Sequence, residues 1–429
     1  MRVLVIGSGA REHALARRLA GEPGVSALLC ASGNPGISSL ARLVPVQMSA
    51  DGMSALADVA ARERIELTIV GPEVPLSLGI VDRFESRGLA IFGPTAAAAR
   101  LESSKAFAKA FMARHGVPSA RFRIADSARD ALAAIGSGEF GFPIVLKADG
   151  LAAGKGVVIA ETQSEAEHAV TSAMKDRRFG DAGARLVIEE CLTGPEVSFF
   201  AVCDGTRALP IGTAQDHKRI FDEDRGPNTG GMGAFAPSPL VDPHMHTRVM
   251  REIVEPVVAG MAAEGHPFRG FLYAGLMLTR SGPKVIEFNV RLGDPEAQVV
   301  LPLVEEPLLP MLAAAASGNL RQNACRLSRE KLVGVVLASR GYPESSESGQ
   351  PIDGVARADA IPGVHVLHAA TASREGRLVT SGGRVLTVVG RGTGFPEAIA
   401  RAYAGVLQIS FDGMQYRRDI GRKALVHER

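Results

Sequence analysis

The stretch Glu287-Phe288-Asn289-Val290-Arg291-Leu292-Gly293-Asp294-Pro295-Glu296 sets a carboxylate and an amide two residues apart, with a guanidinium two further on. On a strand, alternate residues share a face. Glu287 and Asn289 would then stand side by side as hard oxygen donors, a pair suited to Mg²⁺ shared with phosphates. Arg291 continues the face and offers a planar fork for a carboxylate or phosphate. A solvated polar strand is the plain alternative. The neighbouring Val285, Ile286, Phe288 and Val290 argue instead for an interior strand.

A second cluster runs from Lys147 to Val157 and holds Gly150, Gly154, Gly156 and Lys155. It leaves one expected strand and enters the next, so it reads as a hairpin-like flap rather than a strand-to-helix P-loop. Gly154-Lys155-Gly156 also lacks the Ser or Thr of a Walker A sequence. Its N–H groups and lysines could fold over a polyphosphate; a surface hairpin with solvated lysines would look the same. A third cluster is Asp216-His217-Lys218-Arg219, followed by the glycine-rich segment 226–233. It suits a polyanionic or carboxylate ligand, with an ordinary basic turn as the alternative and His217 more simply structural. Glu189-Glu190-Cys191-Leu192, with Glu196 shortly after, ends a strand. It could offer backbone groups to a base and a carboxylate to ribose hydroxyls.

The turn Gly7-Ser8-Gly9-Ala10-Arg11-Glu12 resembles GxGxxG, but its third position is Glu12. A dinucleotide fold needs a small residue there for close helix packing, so NAD is not expected. A phosphate or other anion at the helix N-terminus is expected, since free N–H groups point there; a plain tight turn is the alternative.

These side chains need a scaffold. Over residues 1–100, strands Val3–Ile6, Ala27–Ala31, Leu67–Val70 and Ala90–Phe92 alternate with helices Arg11–Ala20, Ser54–Arg64 and Leu76–Arg87. Short strand–helix–strand spacing predicts a doubly wound parallel sheet, whose ligands bind beyond the carboxyl ends of the strands. A helix over Ser103–His115 opens a mixed α+β region with strands at Ile144–Lys147, Gly156–Ala160, Leu186–Glu190, Val197–Cys203, Gly270–Leu278 and Lys284–Phe288, and helices at Glu165–Met174 and about Pro295–Leu303. From about Leu332 short Val-rich strands and a last helix, Pro396–Gln408, predict a small β-rich domain.

Length and charge bound the function. At roughly 150 residues per domain, 429 residues predict about three domains. With 48 Lys and Arg against 46 Asp and Glu, the net charge of +2 lacks the basic excess of a nucleic-acid or membrane-surface binder. Cys30, Cys191, Cys203 and Cys325 are scattered, so neither a disulfide framework nor a structural zinc site is expected. The opening MRVLVIGSGA reads as strand and turn rather than signal peptide, and the uncharged residues 25–41 are too broken by Ser, Gly and Pro to span a bilayer. A soluble, cytoplasmic protein is expected. The 48 glycines exceed the usual share without any repeat period, so they do position-specific work.

The segments VLVIGSGAREHAL, GPEVPL, VLKADGLAAGKGV, IEECLTGPEVSF, AQDHKRIFDEDRGPNTGGMGA and EFNVRLGDPEAQ, in this order, resemble the phosphoribosylamine–glycine ligase (glycinamide ribonucleotide synthetase) family of the ATP-grasp superfamily. The resemblance implies an N-terminal α/β domain over 1–102. It implies an ATP-grasp body over 103–328 with a mobile lid at about 120–193, and a β-rich C-terminal domain over 329–429. The implied reaction joins glycine to 5-phosphoribosylamine with ATP, in purine biosynthesis, in a monomer or weak homodimer. Carried onto this chain, Lys105 and Lys147 would contact ATP phosphates, with Gly154, Lys155 and Gly156 in the lid. Glu189 and Leu192 would edge the adenine and Glu196 would bind the ribose. Glu287 and Asn289 would hold Mg²⁺ or Mn²⁺. Asp216, Lys218 and Arg291 would lie at the substrates and the transferred phosphate. Gly7, Gly9 and Arg11, with Asn34 and Gly36, are candidates for the phosphoribosyl group. Other ATP-grasp ligases or carboxylases, and a non-catalytic nucleotide-binding module, are the competing readings. Asp216–Arg219 with the Pro-Asn-Thr-Gly-Gly-Met-Gly segment favours the glycine ligases, and intact Lys147, Glu287, Asn289 and Arg291 argue against loss of catalysis.

Overall fold

A computed structural model of the chain describes residues 1–46, 49–151 and 156–426; Gly154 and Lys155 lie outside the described residues. The first unit is a five-stranded parallel sheet in the order β3-β2-β1-β4-β5, made of β1 (Arg2–Gly7), β2 (Ala27–Ser32), β3 (Arg42–Val44), β4 (Leu67–Val70) and β5 (Ile91–Phe92). Val3 to Ile6 are fully buried, which accounts for a continuous apolar run where an exposed strand would alternate. Helices α1 (Ala10–Ala20) and α2 (Ala50–Arg62) follow β1 and β3.

Two local features depart from the sequence reading. β3 is only three residues long and starts on the exposed Arg42, too short for a periodic signal. The single helix expected over Leu76–Arg87 is two, α3 (Glu73–Ser77) and α4 (Ile80–Glu85), because Gly79 turns left-handed with φ +76° between them.

The middle of the chain begins with α5 (Ala96–Ser103) and α6 (Lys105–Arg114). Ser104 ends the first helix and caps the second, its hydroxyl accepting from Phe107 N at 3.1 Å. The Asp149 carboxylate takes the Ser104 hydroxyl (3.0 Å) and Ala106 N (3.1 Å), tying the start of α6 to the base of the Gly-rich segment. A four-stranded antiparallel sheet, order β6-β9-β7-β8, comprises β6 (Phe122–Ala125), β7 (Ile144–Ala148), β8 (Val157–Ala160) and β9 (Leu186–Glu190). It has its own core, Ile144, Leu146, Leu186 and Ile188 packing on Ala131 and Ile135. β7 and β8 pair in register, Lys147 opposite Val157, so the segment between them joins antiparallel neighbours.

The remaining strands are β10 (Glu196–Asp204), β11 (Ala208–Asp216), β12 (Arg219–Phe221), β13 (Arg225–Asn228), β14 (Gly233–Ala236), β15 (Arg269–Thr279), β16 (Gly282–Asn289), β17 (Lys331–Ala338), β18 (Val364–His368), β19 (Thr371–Arg374), β20 (Arg377–Thr380) and β21 (Arg384–Gly392). Eight of them form one antiparallel sheet, order β16-β15-β10-β11-β14-β17-β21-β18. The β-rich C-terminal unit therefore shares a sheet with the body, joined where β14 pairs with β17. Its own core is the helix Phe395–Val406 laid on β17 and β21.

Candidate active site

One cleft collects the chemistry-bearing side chains. Its two adjoining lobes, about 520 Å³ and about 600 Å³, share Lys147, Glu189, Asp216, Lys218 and Glu287 on their walls. In the N-terminal unit α1 supplies Arg11 and α3 supplies Glu73; α5 supplies Glu102, and α6 supplies Lys105 and Lys109. The four-stranded sheet supplies Lys147 and Glu189; the large sheet supplies Asp216, Glu287, Asn289 and, from the C-terminal unit, Arg384, with Lys218 from the connection after β11. The second lobe is flanked by Val145, Val157, Ile159, Leu192, Met277 and Ile286, apolar walls of the kind a flat base fits.

Cations and carboxylates are interleaved. Lys105 Nζ donates to Gly150 O at 2.9 Å, holding the base of the Gly-rich segment, and burial lowers its pKa. Lys147 Nζ donates to Ile286 O (3.0 Å) and pairs with Glu189 Oε2 (3.1 Å), the same oxygen that Lys109 Nζ approaches at 3.0 Å. Burial pulls the Lys109 pKa down to about 8 in spite of Glu189. Lys218 Nζ donates to Glu196 Oε2 at 2.5 Å. Burial, with Glu296, Glu196 and Glu287 nearby, outweighs Lys218 and pushes the Asp216 carboxyl up to about 7.

Glu287 behaves in the opposite way. Burial would raise its pKa, but Lys218, Lys147, Lys105 and Arg291 overcome that and hold it below the usual value. It and Asn289 face the same cleft from β16, and among the described residues neither side chain has a hydrogen bond or ion pair. An uncommitted amide oxygen beside an ionised carboxylate fits a divalent cation that takes its other ligands from a phosphate. No cluster of three His, Cys, Asp or Glu suited to a metal occurs among the described residues, so a fully protein-bound cage is not what these residues build.

Three of the groups singled out from the sequence also make contacts within the protein. First, at the Gly7–Arg11 turn the Glu12 carboxylate accepts from Gly9 N (2.6 Å) and from Arg11 Nε (2.6 Å). This also explains the residue at the third motif position. The Glu12 side chain lies against Gly7 and Gly71, where a Cβ would come within 2.4 and 2.2 Å of it. Asn34 is likewise committed, donating to Ser8 O and His368 O and accepting from Ile37 N, while Gly36 is packed under His13 and His368. Of these five residues only Arg11 lines the cleft. Second, the Arg291 fork is engaged by the protein itself, pairing with Glu73 (3.2 Å) and Glu102 (2.9 Å). Burial opposes its charge, yet those two carboxylates keep its pKa above the usual arginine value. Third, Lys218 and Glu196 are partners in an ion pair.

Sequence reading also missed Lys109, Glu73, Glu102, Asp294, Glu296 and Arg384. Lys109 was reachable, since it follows Lys105 by four residues on a helix and so shares its face. Arg384 carried no signal, because only the sheet shared between body and C-terminal unit brings it to the cleft.

Comparison with known proteins settles the lineage. The phosphoribosylglycinamide synthetase family models match here as the N domain over residues 1–102, the ATP-grasp (A) domain over 103–297 and the C domain over 332–423. The chain belongs to the phosphoribosylglycinamide synthetase family. It is 51% identical to the phosphoribosylamine–glycine ligase of Xanthomonas campestris pv. campestris, over 100% of this chain and 99% of that one. Its identity to the Vibrio vulnificus (strain CMCP6) protein of the same name is 49%, over 100% of this chain and 99% of that one. The crystal structure of phosphoribosylamine–glycine ligase from Thermotoga maritima superposes with a TM-score of 0.86 at 33% identity, covering 98% of this chain and 100% of that one. A biotin carboxylase from Campylobacter jejuni shares the fold, with a TM-score of 0.74 at 16% identity over 100% of this chain and 95% of that one. Among the described residues no helix is long and apolar enough to cross a membrane.

Proposed function

We propose that this cleft ligates glycine to 5-phosphoribosylamine, converting ATP to ADP and phosphate, as the names of its family relatives indicate. The observation that carries the reading is the convergence of Lys105, Lys147, Lys218 and Arg291 on the uncommitted Glu287–Asn289 pair in one cleft. A glycine carboxylate oxygen attacks the γ-phosphorus, the bond to the β–γ bridging oxygen breaks, and ADP leaves. The phosphoribosylamine nitrogen then attacks the carbonyl carbon of glycyl phosphate, phosphate departs, and the nitrogen loses a proton. With its carboxyl titrating near 7, Asp216 is poised to take that proton.

Lys105 and Lys147, with Gly154, Lys155 and Gly156 of the flap, bind the ATP phosphates. Glu189 and Leu192 bound the base and Glu196 turns to the ribose. Glu287 and Asn289 hold Mg²⁺ or Mn²⁺, which would neutralise charge on the phosphates. Arg291 and Lys218 orient the glycine carboxylate and the transferred phosphoryl group, and phosphoribosylamine lies on the Arg11 side of the cleft. Positioning and charge neutralisation do most of the work in such transfers. Phosphate release tests the reading: turnover should require glycine and phosphoribosylamine together, and equal ATP cleavage with bicarbonate or another amino acid would overturn it.

A further inference from the structure

The segment Thr229-Gly230-Gly231 forms part of the cleft rim, and both backbone groups of its central residue are held by the C-terminal unit. Gly230 N donates to Tyr342 Oη at 2.9 Å, while its carbonyl accepts from Arg384 Nη1. The same guanidinium donates to Asp294 O at 2.7 Å and pairs with the Asp294 carboxylate at 3.3 Å, so it clamps two cleft-lining loops together. From the strap the connection runs directly to a cleft cation: Thr229 N and Thr229 Oγ1 both donate to Lys218 O, at 2.7 and 2.9 Å. This packing requires glycine at 231 and leaves little room for a side chain at 230. A Cβ on Gly230 would sit 3.1 Å from Arg384 Cζ and 3.3 Å from Tyr342 Oη, and one on Gly231, with φ +107°, would meet Pro295 at 2.4 Å. These glycines admit protein side chains rather than cradle a phosphate.

We propose that Arg384 and Tyr342 are positioning residues of the ligase, acting through the Gly230–Gly231 strap to fix Thr229, Lys218 and the Asp294 loop in the cleft wall. The proposal rests on the reading of this cleft as the ligation site. It makes the C-terminal unit a working part of the active site rather than an appended domain. Neither side chain needs to touch a substrate: both terminal nitrogens of the Arg384 guanidinium are already engaged, Nη1 by backbone carbonyls and Nη2 by the Asp294 carboxylate.

The test uses full-length Tyr342→Phe, which removes only the acceptor for Gly230 N, together with Arg384→Met and Arg384→Lys, with Glu287→Ala as the control for the site. Circular dichroism first establishes that each variant is folded; if Arg384→Met is not, Tyr342→Phe and Arg384→Lys carry the test. Arg384→Met should lower kcat/KM about 100-fold, mostly in kcat, the scale that a small misplacement of a catalytic group costs. Tyr342→Phe should show a smaller loss of the same kind, and Arg384→Lys should recover part of the activity. Because both residues act on Gly230, the double variant should lose less than the product of the single losses. Wild-type kinetics in folded Arg384→Met and Tyr342→Phe, with Glu287→Ala inactive, would overturn the strap while leaving the site standing. A loss confined to the KM for phosphoribosylamine in Arg384→Met, with Tyr342→Phe silent, would also overturn it by making Arg384 a substrate contact. An active Glu287→Ala would remove the site reading and the proposal together.

Discussion

Glu287 and Asp216 share one cleft and are pushed in opposite directions, which is how one site can hold a carboxylate favoured in its ionised form and a titrating carboxyl. Glu287 is held low by four surrounding cations, Asp216 is driven to about 7 by burial and neighbouring carboxylates. Replacing Glu287 with Ala should abolish turnover while leaving the far-ultraviolet circular dichroism spectrum unchanged; near wild-type rates at saturating Mg²⁺ would take it out of the metal site. Lys109 makes a second residue-scale case. Its ammonium shares Glu189 Oε2 with Lys147 while Glu189 Oε1 is left buried without a hydrogen bond. Lys109→Met removes one of the two cations on a buried carboxylate, and breaking such a pair costs roughly 3 kcal/mol. The urea midpoint should fall accordingly and the KM for ATP should rise. An unchanged midpoint would mean that Lys147 suffices for Glu189.

At the scale of elements, the interfaces are held by polar groups that no local pattern marks. Glu22, just past α1, accepts from Leu308 N and Leu309 N at the start of the helix Leu308–Ala316 and pairs with Arg18 at 3.0 Å. Glu22→Ala would leave two buried N–H groups unpaired, and about 2 kcal/mol of stability should be lost in chemical denaturation. The contact of α1 with β18 depends on pH. His13 Nδ1 accepts from His368 N at 2.8 Å, which requires a neutral imidazole. Burial lowers the pKa of His13 from 6.5 to about 3 and of His368 from 6.5 to about 4. The unfolded chain therefore binds protons first as pH falls below about 6.5, so stability should decline from pH 7 to pH 4.5. His13→Ala should be less stable at pH 7 yet lose less over that interval; equal losses would exonerate this pair.

Across the whole molecule, β14 joins β17 and merges body and C-terminal unit into one sheet. A chain ending near residue 330 would lose β17, expose β14 as an open edge and uncover Phe235, a known route to aggregation. Such a truncation should elute from gel filtration as aggregate and lack ligase activity, whereas a soluble, active fragment would show the halves to be independent. The parallel sheet, the buried strands and the Glu287–Asn289 pair were legible in the amino-acid order because apolar runs and two-residue spacing are local properties of a strand. The ordered motifs likewise sufficed for the family. Other features depended on distance in space between residues far apart in the chain. The Glu12 carboxylate fills the turn that an external anion was expected to occupy, and Glu73 and Glu102 engage Arg291. Arg384 reaches the cleft across 153 residues to hold Gly231. Local periodicity can say that a side chain is available at a given face; which partner takes it is settled by sheet order and packing, which bring together groups with no sequence relation at all.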